Sequence, residues 1–170
     1  QGMVCNKAFK NHQGKWVNTE NIVRQDKKFI DRKTKETVKL VGVEKMSKSK
    51  LNGISPDNVI DCYGADTARL FILSDSPPDK NIEWSNDGIE GAYRYLTRLY
   101  NSAFALSSQP IQDSCEISIQ VNKVIHKAIA NISQNFESLH FNKAIAQIRE
   151  LSNVLYSDNI QLTVLEKHHI

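Results

Sequence analysis

Two lysines three residues apart, Lys45 and Lys48, stand in the run Lys45-Met46-Ser47-Lys48-Ser49, which continues as Lys50-Leu51-Asn52-Gly53 and then Ile54-Ser55-Pro56. Small polar residues keep such a segment mobile. Serine hydroxyls and free backbone N–H groups can cradle phosphate oxygens. A lysine ammonium is a compact charge on a flexible stem. It suits a leaving group such as pyrophosphate, whose negative charge grows as the bond breaks. The residues alone therefore predict a mobile phosphate-binding loop at a domain edge. An exposed lysine-rich turn, or a short basic address signal, competes for the same residues.

Charge points the same way. The net charge is +3, but residues 1–50 hold 13 Lys or Arg against 5 Asp or Glu. The remaining 120 residues hold 9 against 14. A positive front half suits phosphate, from a nucleotide or from RNA, and predicts weak, salt-sensitive RNA affinity. A solvated lysine-rich hairpin explains the charge equally well.

The elements that must position the loop follow from periodicity. Over 15–42, Trp16, Val17, Ile22, Val23, Phe29 and Ile30 mark strands. The polar stretch Asp31–Glu36 before the alternation at Val38 and Leu40 predicts a β-hairpin. Ser55 and Pro56 mark a helix start, Gly64 its end, and Asp66 the cap of a second helix over Thr67–Leu73. Pro77 and Pro78 break the pattern, so a domain boundary is expected over 77–85. From Asp87 the period is helical. The apolar stripes are Ile89, Ala92, Leu96, Leu99, Ala103 and Leu106; then Val121, Ile125, Ala128, Ile132, Phe136 and Leu139; then Phe141, Ala144, Ile148, Leu151 and Leu155. Breaks at Pro110 and His140 separate them, and 160–170 read as a further helix. Short connections between amphipathic helices predict an antiparallel bundle with buried stripes. The expected class is α+β: a small β-rich piece over 1–44, then a mostly helical chain.

Other chemistry is thin. Cys5, Cys62 and Cys115 are widely spaced, without the close pairs zinc requires, and are expected to be reduced, buried small hydrophobes in a cytoplasmic protein. No metal site is expected; His126, His140, His168 and His169 lack ligand spacing. No apolar run approaches the ~18 residues of a membrane span. The first residue is not Met and the last lies in a helical pattern, so the sequence reads as an internal piece of a longer protein.

The string Lys45–Ser49 is similar to the signature loop of class I aminoacyl-tRNA synthetases, without a substitution. Further along, Tyr63-Gly64-Ala65-Asp66 with Arg69 resembles another segment of that family. Trp84 and Gly88-x-x-Gly91-x-x-Arg94-Tyr95-Leu96-x-Arg98-Leu99 resemble its approach to a helical anticodon-binding domain. The shifted Asn52-Gly53, and Gln1-Gly2-Met3-Val4 before a small insertion over 5–44, are similar to bacterial-type leucyl-tRNA synthetases.

That resemblance implies a division into 1–44, the end of a catalytic core plus the insertion; 45–84, the loop and a helical stem; and 85–170, part of a helical tRNA-binding domain. It implies an enzyme that joins leucine to ATP with Mg²⁺, releases pyrophosphate, and passes leucine to tRNA(Leu), working as a cytoplasmic monomer. Lys48 would stabilise the departing pyrophosphate and Lys45 would assist. Met46 would lie beside adenine, with Ser47 and Ser49 at phosphate or shaping the loop. Arg94 and Arg98, sharing a helix face, would touch tRNA phosphate unless solvated or paired. Asp66 and Arg69 are expected to cap and pair within a packed stem, and Trp84 to be core. The family's His-x-Gly-His segment is absent, so this stretch alone is expected to be inactive. The alternatives are an isoleucyl- or valyl-type relative, or a non-catalytic RNA-binding helical module.

Overall fold

A computed structural model describes residues 2–108 and 119–155 of the chain. Among the described residues it is a mixed structure with a six-stranded, mainly antiparallel sheet and five α-helices. The strands are β1 Val4–Lys10, β2 Trp16–Val17, β3 Ile22–Gln25, β4 Lys28–Asp31, β5 Thr37–Lys45 and β6 Ile82–Glu83. The helices are α1 Pro56–Tyr63, α2 Ala65–Asp75, α3 Asn86–Ser107, α4 Ile119–Glu137 and α5 Phe141–Leu155. Two compact units divide the chain: residues 1–69 with 79–90, and 70–78 with 91–170.

In the first unit the path across the sheet is β2-β1-β5-β4-β3. Antiparallel pairing of β1 with β5 sets Cys5 opposite Lys45 and Asn6 opposite Glu44, with an irregularity at Ala8/Phe9. The other edge of β1 takes β2 and, in parallel, β6. The β4–β5 hairpin forms as the polar stretch predicts. Asp31 is buried there because its carboxylate accepts the Lys33 N–H at 2.9 Å and shapes the turn. The β3–β4 turn places Asp26 and Lys27 at positive φ, as a tight two-residue hairpin demands. Aspartate tolerates that conformation, but the type of Lys27 does not announce it. Gly2 is required by space: a Cβ there would fall 1.6 Å from the Lys80 carbonyl oxygen.

Ser55 and Gly64 bound α1 as expected. The Ser55 side chain makes no capping bond, and Gly64 closes the helix at φ 83° with its N–H on the Ile60 carbonyl. The expectation for Asp66 needs correction. The helix α2 begins at Ala65, so Asp66 sits inside its first turn. Its contact with Arg69 at 3.4 Å is an exposed i,i+3 pair, not part of a packed stem. Such a pair is worth little because water screens it. Trp84 is half-buried rather than core, its indole N–H donating to Asn86 Oδ1 at 2.9 Å. Ser85 caps α3 through its hydroxyl, which accepts the Gly88 N–H at 3.1 Å. Cys5 is buried as expected, but Cys62 is exposed on α1. Cys115 lies outside the described residues, as do Pro110, His168, His169 and the helix expected at 160–170.

In the second unit α4 and α5 form an antiparallel helical hairpin. Val121, Ile125 and Leu155 cluster at its open end with Leu151 against them. Asn135 bonds Gln147 near its turn at 3.1 Å. Leu139 makes that turn at φ 57°. The Tyr95 hydroxyl links α3 to α5 through Ser152 at 3.1 Å. The stripes are buried only in part. Ile89, Ala92, Val121, Ile125, Ala144 and Leu155 are covered, whereas Phe136 and Leu139 are 49% and 61% exposed and Ala103 is also open. Amphipathic spacing selects the face a helix offers, but burial needs a neighbour, and the described helices cover only part of each stripe.

Candidate functional site

The lysine loop begins where β5 stops. Lys45 is the last residue of the strand, still in register with Cys5, and the Met46 N–H continues the ladder to the Val4 carbonyl at 3.1 Å. The chain then turns over four residues. The Leu51 N–H reaches the Lys48 carbonyl at 3.3 Å, with Leu51 at φ 53°, a left-handed conformation uncommon for a branched apolar residue. Ser47 closes the turn from inside. Its hydroxyl accepts the Lys50 N–H at 3.3 Å and lies 3.3 Å from the Ser49 hydroxyl. A further tie comes from the 3-10 turn Thr19–Asn21, where the Thr19 N–H donates to the Leu51 carbonyl at 3.0 Å.

Beneath the turn sits Asn52, fully buried. Its Oδ1 accepts the Ser47 N–H at 2.9 Å. Its Nδ2 faces three carbonyls: Glu44 at 3.1 Å, Lys45 at 3.3 Å and Asn6 at 3.3 Å. Asn6 replies, its own Nδ2 donating to the Asn52 carbonyl at 3.1 Å. The two amide hydrogens of Asn52 serve three acceptors, so one bond is shared. The network also fixes the orientation of the carboxamide, since a flipped group would set its oxygen against three carbonyls and its nitrogen against an N–H.

The structure thus brings the five signature residues together around one turn but gives them different surroundings. Lys45, Lys48 and Ser49 are exposed, while Met46 and Ser47 are half-covered. Among the described residues neither the Lys45 nor the Lys48 ammonium has a partner. Lys50 differs. Its ammonium is 2.6 Å from Glu44 Oε2 and 5.9 Å from the centre of the Trp16 ring, which Lys10 approaches at 4.4 Å. The loop therefore offers two uncommitted cations and retains the third. The base of the loop is bonded from both sides, while Lys48 and Ser49 at its tip stand exposed.

Arg94 and Arg98 belong to the second unit. They line a shallow groove on α3 with Tyr93, Thr97, Asn101 and Ser102. The Arg98 guanidinium already donates to Asn153 Oδ1 at 2.6 Å. Among the described residues no group of three or more His, Cys, Asp or Glu side chains could hold a metal ion, and no helix is long and apolar enough to cross a membrane. Sequence reasoning singled out Asn52 only as a mark of kinship and missed it as the centre of the site. The available signal was a short polar residue set directly before a glycine where the loop must return.

Residues 37–85 match the family described as class I tRNA synthetases for I, L, M and V. A leucine–tRNA ligase of Paramagnetospirillum magneticum is 41% identical over 160 residues, covering 91% of this chain and 19% of that protein. The leucine–tRNA ligase of Hyphomonas neptunium is 39% identical, covering 91% of this chain and 18% of that protein. A crystal structure of an Agrobacterium radiobacter LeuRS, in a ternary complex with tRNA and LeuAMS, matches with a TM-score of 0.61 at 29% identity. It covers 74% of this chain and 18% of that one. These likenesses place the chain, as a stretch of a longer protein, among the class I aminoacyl-tRNA synthetases. Within that class the chain belongs to the leucine–tRNA ligase family, and it spans about a fifth of the length of the relatives it matches.

Proposed function

We propose that this chain is the part of a leucine–tRNA ligase that handles the pyrophosphate of ATP during leucine activation, joined to part of a helical tRNA-binding region. The observation that carries this is the pairing of a Lys48 that is exposed, and without a partner among the described residues, with a bonded loop base. A charge that stabilises a leaving group must be free to reach it, yet held so that little reorganisation accompanies the reaction. What supports this reading is that Lys48 is exposed while the Ser47 before it is bonded to Asn52.

In this reading leucine attacks the α-phosphate of ATP in line and pyrophosphate departs. Lys48 takes up the negative charge that grows on the departing group. Lys45, at the end of β5, assists at phosphate. The Met46 backbone lies beside adenine, and Ser47 and Ser49 shape the tip or meet phosphate. Mg²⁺ accompanying ATP is held largely by phosphate oxygens and water, and no residue here is assigned to it. Residues 1–44 supply the end of the catalytic core with its insertion, 45–84 the loop and stem, and 85–170 part of a helical bundle of the anticodon-binding type. Arg94 and Arg98 are its candidate contacts with tRNA(Leu). The complete enzyme would act as a cytoplasmic monomer, and this stretch alone would be inactive.

The test is Lys48→Ala in the full-length enzyme. An interaction strengthened in the transition state affects rate more than ground-state binding. Adenylation, followed before the steady state, should slow by about 10²–10³-fold with a modest change in KM for ATP. Transfer from preformed leucyl-adenylate to tRNA releases no pyrophosphate and should change little. A raised KM with adenylation within about twofold of wild type would reduce Lys48 to an ATP-binding residue.

A further inference from the structure

We propose that Asn52 is a positioning residue: its buried carboxamide fixes where Lys48 stands, and through Lys48 it governs the pyrophosphate-releasing step. This rests on the reading of Lys48 given above.

The geometry is specific. The carbonyls facing Asn52 Nδ2 come from β1, at Asn6, and from the last two residues of β5, Glu44 and Lys45. These are the two segments that meet where the loop departs. The Asn52 Oδ1 holds the N–H of Ser47, the residue before Lys48. One side chain thus clamps both ends of the loop, leaving only Lys48, Ser49, Lys50 and Leu51 outside the clamp. That tip closes on itself through the Leu51 N–H and the Ser47 hydroxyl. Since Asn52 is wholly inaccessible, it cannot touch a substrate and must act through the backbone.

The chemistry demands asparagine. The site needs an acceptor and two donor hydrogens on one short, neutral group. A carboxylate would set charge against three carbonyl oxygens. An apolar side chain would leave backbone groups buried without partners. A displacement of about 1 Å at a catalytic group can cost about 10²-fold in rate, so loosening the clamp should be visible in the chemistry.

The experiment is a double-mutant cycle in the full-length enzyme: Asn52→Ala, Lys48→Ala and the pair. Adenylation and transfer from preformed leucyl-adenylate are measured separately. Asn52→Ala should slow adenylation roughly 10²-fold, with KM for ATP and the transfer rate within about threefold of wild type. If Asn52 acts through Lys48, the double variant should be no more than about threefold slower than Lys48→Ala alone. Additive losses, or equal losses in adenylation and transfer, overturn the proposal and leave Asn52 with a purely architectural role. Should Lys48→Ala itself leave adenylation unchanged, the reading of the loop fails, a result distinct from additivity. If Asn52→Ala does not fold, Asn52→Ser, whose short neutral hydroxyl can still donate to one of the facing carbonyls, is carried through the same cycle against the same two outcomes.

Discussion

The loop base in the first unit and the α4–α5 hairpin in the second are held by opposite means. Around Asn52 the contacts are polar, short and directional, and they fix backbone atoms by name. Between α4 and α5 they are apolar, with Val121, Ile125, Leu151 and Leu155 filling space. Apolar packing stabilises in proportion to area and tolerates small shifts. A polar network stabilises less on balance but is costly to leave half-satisfied, so it specifies one arrangement. The difference teaches that position is controlled where the chemistry is expected, and bulk stability is supplied where the chain only has to stay folded.

Four substitutions would sharpen or break that contrast. The largest expected effect is the loss of about 10²–10³-fold in adenylation for Lys48→Ala, equivalent to about 2.7–4 kcal/mol of transition-state stabilisation. It should come without loss of stability, because Lys48 is exposed and has no partner among the described residues; a lowered melting temperature would show that the tip is also structural. Next comes Ile125→Ala in the hairpin. Ile125 is 2% exposed, and such truncations cost about 2–5 kcal/mol. The low end, about 2–3 kcal/mol, is expected because Leu151 beside the cluster is only partly buried and can move toward the gap. Urea unfolding of this chain measures it, and a cost under about 1 kcal/mol would mean the cluster is not the core of the second unit.

Tyr95→Phe should be smaller. It removes one bond between α3 and α5, while the Ser152 hydroxyl keeps the Ile148 carbonyl at 2.7 Å and Arg149 keeps its place 4.8 Å from the ring. A loss of about 0.5–1.5 kcal/mol in the same unfolding assay is expected; no measurable loss would show that packing alone joins the helices. Smallest is Lys50→Ala. Its partner Glu44 is partly exposed, and pairs of that kind contribute about 0.2–1 kcal/mol. In the full-length enzyme adenylation should fall far less than for Lys48→Ala. An equal fall would mean that the 2.6 Å pair opens during the reaction and that Lys50 shares the role of Lys48.

The local elements were legible in the sequence because local patterns cause them. The turn Asp31–Glu36, the proline at the start of α1, the glycine at its end and the break at His140 each follow from what a few adjacent residues permit. The five residues of the loop were legible for a similar reason: cations and small polar groups in one short run have few uses. Other features depended on partners far along the chain. The length of β1, the pairing of β6 with its edge, and the exposure of Phe136 and Leu139 all turned on which neighbours were present. Asp66 looked like a cap, but its helix began one residue earlier.

The sequence by itself determined the chemistry on offer, two lysines three residues apart in a short polar run, because residue type and spacing set charge and reach. Only the tertiary structure decided which lysines are free and what holds them. Glu44 takes Lys50, and a carboxamide 46 residues along the chain from Asn6 ties β1 to the loop. Such a bond depends on which strands lie side by side, and pairing between distant segments is a property of the folded chain that no local pattern encodes.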